Sequence, residues 1–167
     1  MCEFESRRPH VELEQMVVEV EQRFDAAPAE VFALLHDVER MAGLGPEHTK
    51  AAWVSPVLFT GWNSRGEHEW ETPCHVVVDE PPRAFGWTVG TPGRQSSTWT
   101  YELEPDGDGT LVRQRFQHGP GESGLRDAVE SQPDRAEEWM ARRGEGLRRN
   151  MLTVLGAASR LLSTAGG

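Results

Sequence analysis

Cysteine is scarce in this chain of 167 residues: there are two, Cys2 and Cys74. Two thiols build no disulfide framework, and a reducing cytoplasm is the expected location. Long apolar runs are missing as well. None approaches the roughly 20 residues a spanning helix needs, so membrane insertion is not expected. The opening MCEFESRRPHVELEQ lacks the apolar core of a secretory signal. Positive charge is outnumbered, 17 Lys and Arg against 27 Asp and Glu, for a formal charge of −10. Such a field repels phosphate backbones and anionic lipid, so nucleic acid is not an expected partner; otherwise the acidity means solubility. Metal-ligand spacing is absent among the six His and two Cys, and a strand would point adjacent Cys74 and His75 to opposite faces. No phosphate-cradling or dinucleotide glycine motif occurs. Neither a metal nor a cofactor is expected.

What is present is bulk. Hydrophobic residues make up only 37%, but six Trp and six Phe supply large apolar surface, and the length suits one domain with a real core. The most telling stretch is Glu67 to Val78, EHEWETPCHVVV. Alternate side chains of a strand share a face. Glu67, Glu69 and Glu71 therefore share one face, which must be wet, rather than forming a carboxylate site. His68, Trp70, Thr72 and Cys74 share the other, and Val76 and Val78 continue it. Aromatic bulk dotted with neutral polar groups is the composition of a pocket wall.

The remaining pattern places this stretch. Residues 1–15 read as a flexible segment, 16–163 as a single domain and 164–167 as a disordered tail. Met16 to Phe24 alternates as a strand, and Pro28 with Glu30 opens a short helix carrying Val31, Phe32, Leu34 and Leu35. A second short helix runs from Asp37 to Met41. Strands succeed one another at His48–Ser55, Val57–Asn63, Glu67–Val78, Ala84–Val89, Ser97–Glu104 and Thr110–His118, the last two joined by the hairpin signal Asp106-Gly107-Asp108-Gly109. A broken helical turn is read at Leu125–Val129. Asp134, with Glu137 three residues on, caps a long final helix with an apolar stripe of Met140, Gly144, Leu147, Met151, Val154, Ala158 and Leu161. Short turns between strands imply an antiparallel sheet, and only the final helix is long enough to cover its apolar face.

That order, with FDAAPAEVFALLHDVERM at 24–41, FTGWNSRGEHEWET at 59–72, DEPPRAFGWTVG at 79–90 and WTYELEPDGDGTLVRQRF at 99–116, resembles the START-like helix-grip superfamily. Within it, the chain resembles the bacterial polyketide cyclase/dehydrase-type, or SRPBCC, proteins. The resemblance covers about Met16 to Leu162. It implies an α+β fold: a curved seven-stranded antiparallel sheet around the long C-terminal helix, with two short helices between strands 1 and 2. It also implies a deep cavity between sheet and helix. The quoted runs are fold signatures, and the superfamily has no shared catalytic set.

Phasing each strand by its apolar residues lines that cavity. Gln22 falls inward on the first strand; Trp87 on the fifth; Trp99 and Tyr101 on the sixth; Gln114, Phe116 and His118 on the seventh. The third strand has no phase of its own: Phe59, Gly61 and Asn63 face in, or else Leu58, Thr60 and Trp62 do. Each polar group taken singly is explained by hydrogen bonding within the protein. Gln22, His68, Thr72, Tyr101, Gln114 and His118 taken together are better explained by a ligand. Trp62, Trp70, Trp87 and Trp99 could stack on a planar ligand or simply pack. Gly144 on the inward stripe either bends the helix or leaves room for a ligand beside Met151.

His68 is the candidate base, with Tyr101, Thr72 or Gln114 holding an enolate oxygen. The expected function is a cofactor-independent cyclase or dehydratase of polyketide-like secondary metabolism, taking an apolar substrate. A carrier or sensor of a hydrophobic small molecule needs the same cavity without the base, and a cochaperone-like module needs no cavity at all. Monomer and homodimer both fit, since an edge strand could pair with its twin.

Overall fold

The alternation of Val18, Val20 and Phe24 with Glu19, Glu21 and Arg23 produces β1 (Val17–Phe24), buried on the first set and exposed on the second. The computed structural model describes residues 12–165. Beyond β1, Ala27 caps α1 (Pro28–His36) in extended backbone with Pro28 in the first turn, and the Asp37 side chain accepts the Arg40 N–H to cap α2 (Val38–Met41). Then come β2 (His48–Ser55), β3 (Leu58–Arg65), β4 (His68–Glu80), β5 (Ala84–Val89), β6 (Ser97–Asp106), β7 (Gly109–His118), α3 (Gly124–Ser131) and α4 (Ala136–Ala165).

The seven strands form one antiparallel sheet in the order β1-β7-β6-β5-β4-β3-β2. β1 and β2 are consecutive in sequence yet are opposite edges. The chain between them must cross the sheet, and α1 and α2 do so, closing one end of its concave side. α4 lies along that side, burying Leu147, Met151, Leu155 and Ala158. Leu155, fully buried, extends the stripe expected from sequence by one residue.

Four expectations change. Leu13–Gln15 form a 3-10 turn with Leu13 buried against Val129 and Ala136, so the expected flexible segment is anchored there; residues 1–11 lie outside the described residues. Asp134 caps nothing: it sits within a 3-10 turn, Pro133–Arg135, and α4 starts at Ala136. α4 runs unbroken through Gly144-Glu145-Gly146 and reaches Ala165, so part of the expected tail is helical; residues 166–167 lie outside the description. The broken turn at Leu125–Val129 is a full helix, α3, capped by the Ser123 side chain.

Three register shifts interrupt the sheet, and in each the extra residue lies on β2 or β4. His48 pairs with Asn63 and Lys50 with Trp62, so two residues, His48 and Thr49, answer one on β3. Further along the same two strands, Trp53 pairs with Phe59 and Ser55 with Leu58, leaving Val54 extra. Val76 pairs with Trp87 and Val78 with Gly86, leaving Val77 as the extra residue. A bulge reverses the inward and outward phase of the residues beyond it. The inward set expected to run through Val78 therefore ends at Val76. Asp79, opposite the buried Phe85, takes the inner side and meets His36 at 3.2 Å.

Candidate functional site

Between sheet and α4 lies a cavity of about 640 Å³. The inner face of β4 (His68, Trp70, Thr72 and Cys74) lines it as one set, while Glu67, Glu69 and Glu71 are exposed. β3 contributes Phe59 and Asn63, which settles its phase. α4 contributes Arg143, Leu147, Asn150, Met151 and Val154. Exposed lining residues (Pro46, Arg65, His68, Glu122 and Gly124) mark the mouth.

The β6–β7 wall is built of opposed pairs: Ser97 with His118, Trp99 with Phe116, Tyr101 with Gln114. All six line the cavity. Trp99 and Phe116 pack edge to face, with centroids 5.0 Å apart, and the Trp99 indole N–H donates to Ser97 Oγ at 3.1 Å. Tyr101 and Gln114 differ from their neighbours. They are only 4% and 5% exposed, yet neither side chain bonds to any described residue, and Gln114 Oε1 is wholly shut off from water. An unsatisfied buried polar group costs about 1–3 kcal/mol. Burial also pushes the Tyr101 hydroxyl well above its usual range, so it stays a neutral donor.

His118 is engaged elsewhere. Its Nδ1–H donates to the Gly119 carbonyl at 2.8 Å, which leaves Nε2 to accept from Ser123 Oγ at 2.7 Å. Ser123 Oγ itself accepts the Arg126 N–H, so the imidazole anchors the cap of α3. Burial lowers its pKa, and it is neutral. Cys74 is inert for the same physical reason: burial pushes its thiol up to about 11.

The mouth holds residues that sequence reading did not single out. Glu47 accepts from Arg65 at 2.6 Å, from Arg143 at 3.2 Å and from Asn150 at 3.4 Å. Burial opposes its ionisation, but Arg143 and Arg65 outweigh that and hold the carboxyl below its usual value. Beside it, the bulge at Thr49 turns His48 inward. Its Nδ1–H donates to Asn63 Oδ1 at 3.3 Å, leaving Nε2 unprotonated. Burial lowers the His48 pKa despite the Asn63 bond. Gly61 makes room for the ring: a Cβ there would sit 3.0 Å from His48 Cε1. His68 stands at the rim, exposed, stacked on Trp70 at 5.1 Å and without a hydrogen bond to any described residue. Glu47 and Arg143 are 96 residues apart, and no local pattern announces them. His48 was within reach, had the bulge been anticipated.

Three expected lining residues stand elsewhere. The partly exposed Gln22 keeps the inward phase of β1 but lies outside the cavity lining, and its Nε2 donates to the Arg23 carbonyl at 3.0 Å. Trp62 is on the outer face beneath Lys50, whose ammonium lies 4.9 Å from the ring centroid, because β3 turns Asn63 inward instead. Gly144 opens no space for a ligand: a Cβ there would touch Met16 Cε at 3.7 Å. Among the described residues no group of three His, Cys, Asp or Glu could hold a metal, and no helix is long and apolar enough to cross a membrane.

One family model, described as polyketide cyclase/dehydrase and lipid transport, matches residues 15–158. Among solved structures, a polyketide cyclase-like protein of Corynebacterium glutamicum is 30% identical, with a TM-score of 0.65, covering 90% of this chain and 93% of that one. The di-domain ARO/CYC StfQ of the steffimycin biosynthetic pathway is 14% identical with a TM-score of 0.69; the match covers 91% of this chain and 52% of StfQ. A Mycobacterium smegmatis protein is 13% identical, at a TM-score of 0.63 over 92% and 95% of the two chains. At these lower identities the likeness is one of fold. No curated protein matches the chain.

Proposed function

The chain belongs to the polyketide cyclase/dehydrase and lipid transport family, and from that premise we propose that it is a cofactor-independent cyclase or dehydratase acting on an apolar, carbonyl-bearing metabolite held in the cavity. One observation carries the reading: a single cavity is lined by imidazoles near its mouth and by the unpartnered Tyr101 and Gln114 on its wall. The cavity holds a flexible chain in a reactive fold, and much of the rate gain comes from that positioning. A neutral imidazole removes a proton beside a carbonyl. Tyr101 and Gln114 donate to the enolate oxygen that forms. The enolate carbon attacks a second carbonyl of the same chain, the imidazolium returns its proton to the new alkoxide, and loss of water completes a dehydration.

His48 suits the base better than His68. Its tautomer is set by Asn63 and burial keeps it neutral, whereas His68 stands in the open rim. The test is turnover of a synthetic triketide thioester, monitored by mass spectrometry for a cyclised, dehydrated product. His48→Ala should reduce turnover about 100-fold or more with the fold retained; a normal rate removes His48, and the same assay on His68→Ala decides the rim residue. The second reading, carriage of a lipid-like molecule, draws on the same apolar cavity and the other half of the family description. Native mass spectrometry showing a copurified lipid, with no turnover of the thioester, would decide for carriage.

A further inference from the structure

Charge in the cavity lining is confined to Glu47, Arg65, Glu122 and Arg143, and three of these form the cluster at the mouth. The wall at Tyr101 and Gln114 has no charged neighbour in that lining, so the ligand group that meets it on binding is neutral, before any enolate forms. Both residues come from directly opposed positions on β6 and β7, where side chains stand close enough for one atom to touch both. A half-turn of the Gln114 carboxamide exchanges its donor and acceptor, and the Tyr101 hydroxyl can serve as either. We infer that this cross-strand pair binds a neutral oxygen, a hydroxyl or ketone, on the inward end of the ligand, so that the cavity selects oxygenated apolar molecules over hydrocarbon chains. The inference rests on the small-molecule reading above and sharpens it. Gln114 Oε1 as placed is closed to any ligand atom, so the pair meets the ligand through the Tyr101 hydroxyl and whichever end of the Gln114 carboxamide is turned to the cavity. A plain acyl tail would offer neither a partner.

Matched probes test it without any turnover. N-phenyl-1-naphthylamine, a neutral dye that brightens in apolar cavities, reports occupancy. The competitors 2-naphthol and 2-methylnaphthalene have nearly the same shape and differ by a hydroxyl in place of a methyl. We expect the naphthol to displace the dye about tenfold more effectively from the wild-type chain. In Gln114→Leu and Tyr101→Phe, each checked for a cooperative melt, that ratio should fall towards one. Equal displacement by the two competitors overturns this inference and leaves the cavity reading standing, as does a preference that survives both substitutions. A dye that never binds overturns both readings.

Discussion

The two halves of the sheet obey different rules. β1, β7, β6 and β5 pair with one another without a register shift, and their inward residues alternate strictly: Val18, Val20, Trp99, Tyr101, Gln114, Phe116. β2 and β4 carry the extra residue of all three register shifts, and polar chemistry gathers at two of them: His48 with Asn63 and Gly61 at the first, Asp79 with His36 beyond the last. The regular half makes a wall, and the irregular half aims side chains. A bulge gives up ladder regularity to put a residue where strict alternation forbids it.

The comparison is broken most severely by removing single residues. Deleting Thr100 from β6 forces a one-residue slip, which would turn either Trp99 or Tyr101 with its whole side of the strand outward. We expect no cooperative thermal transition. Deleting Thr49 or Val77 removes only the extra residue of a bulge, and a folded protein within about 2 kcal/mol of wild type is expected. If all three deletions behave alike in a circular-dichroism melt, the distinction between the halves is wrong.

Truncation is the next largest effect. Phe85, fully buried, packs against the rings of Phe32, His36, Trp53 and Trp87. Phe85→Ala should cost about 3–5 kcal/mol in urea unfolding. Val54 on the edge strand is 64% exposed, and Val54→Ala should stay within about 0.5 kcal/mol.

Acid comes third, and it acts on one imidazole from each half. His118 and His48 both have pKa values lowered, first by burial, from an unfolded value of 6.5. Above that value neither state carries the proton and their stabilisation is complete. As pH falls below it the unfolded chain binds protons that the fold refuses, and stability is lost down to the folded values. The urea midpoint should drop between about pH 7 and pH 5.5, and less steeply in His118→Gln. A flat midpoint across that range would show that neither imidazole is held neutral. The smallest effect is Glu71→Gln on the exposed face of β4, expected within about 0.5 kcal/mol of wild type.

Much of the architecture was legible in advance, for local reasons. Proline at a first helical turn, valines alternating with charges and a Gly-Asp hairpin act over a few residues, so α1, β1 and the β6–β7 hairpin are set by neighbours in sequence. The site was legible in the regular half for the same reason, and along β4 from His68 to Cys74, which precedes its bulge. Reading failed where an extra residue shifted the phase, at His48 and Val78, and where strand phase was right but position was not, as with Gln22.

By itself, then, the order of residues determined seven strands, a long covering helix and an aromatic inner wall, because side-chain periodicity is a property of the backbone alone. Only the folded chain decided that Glu47 meets Arg65, Arg143 and Asn150, that His48 turns inward over Gly61, and that Tyr101 and Gln114 are left without partners among the described residues. Those facts depend on which distant segments come into register and which polar atoms packing seals from water, and no local pattern encodes either.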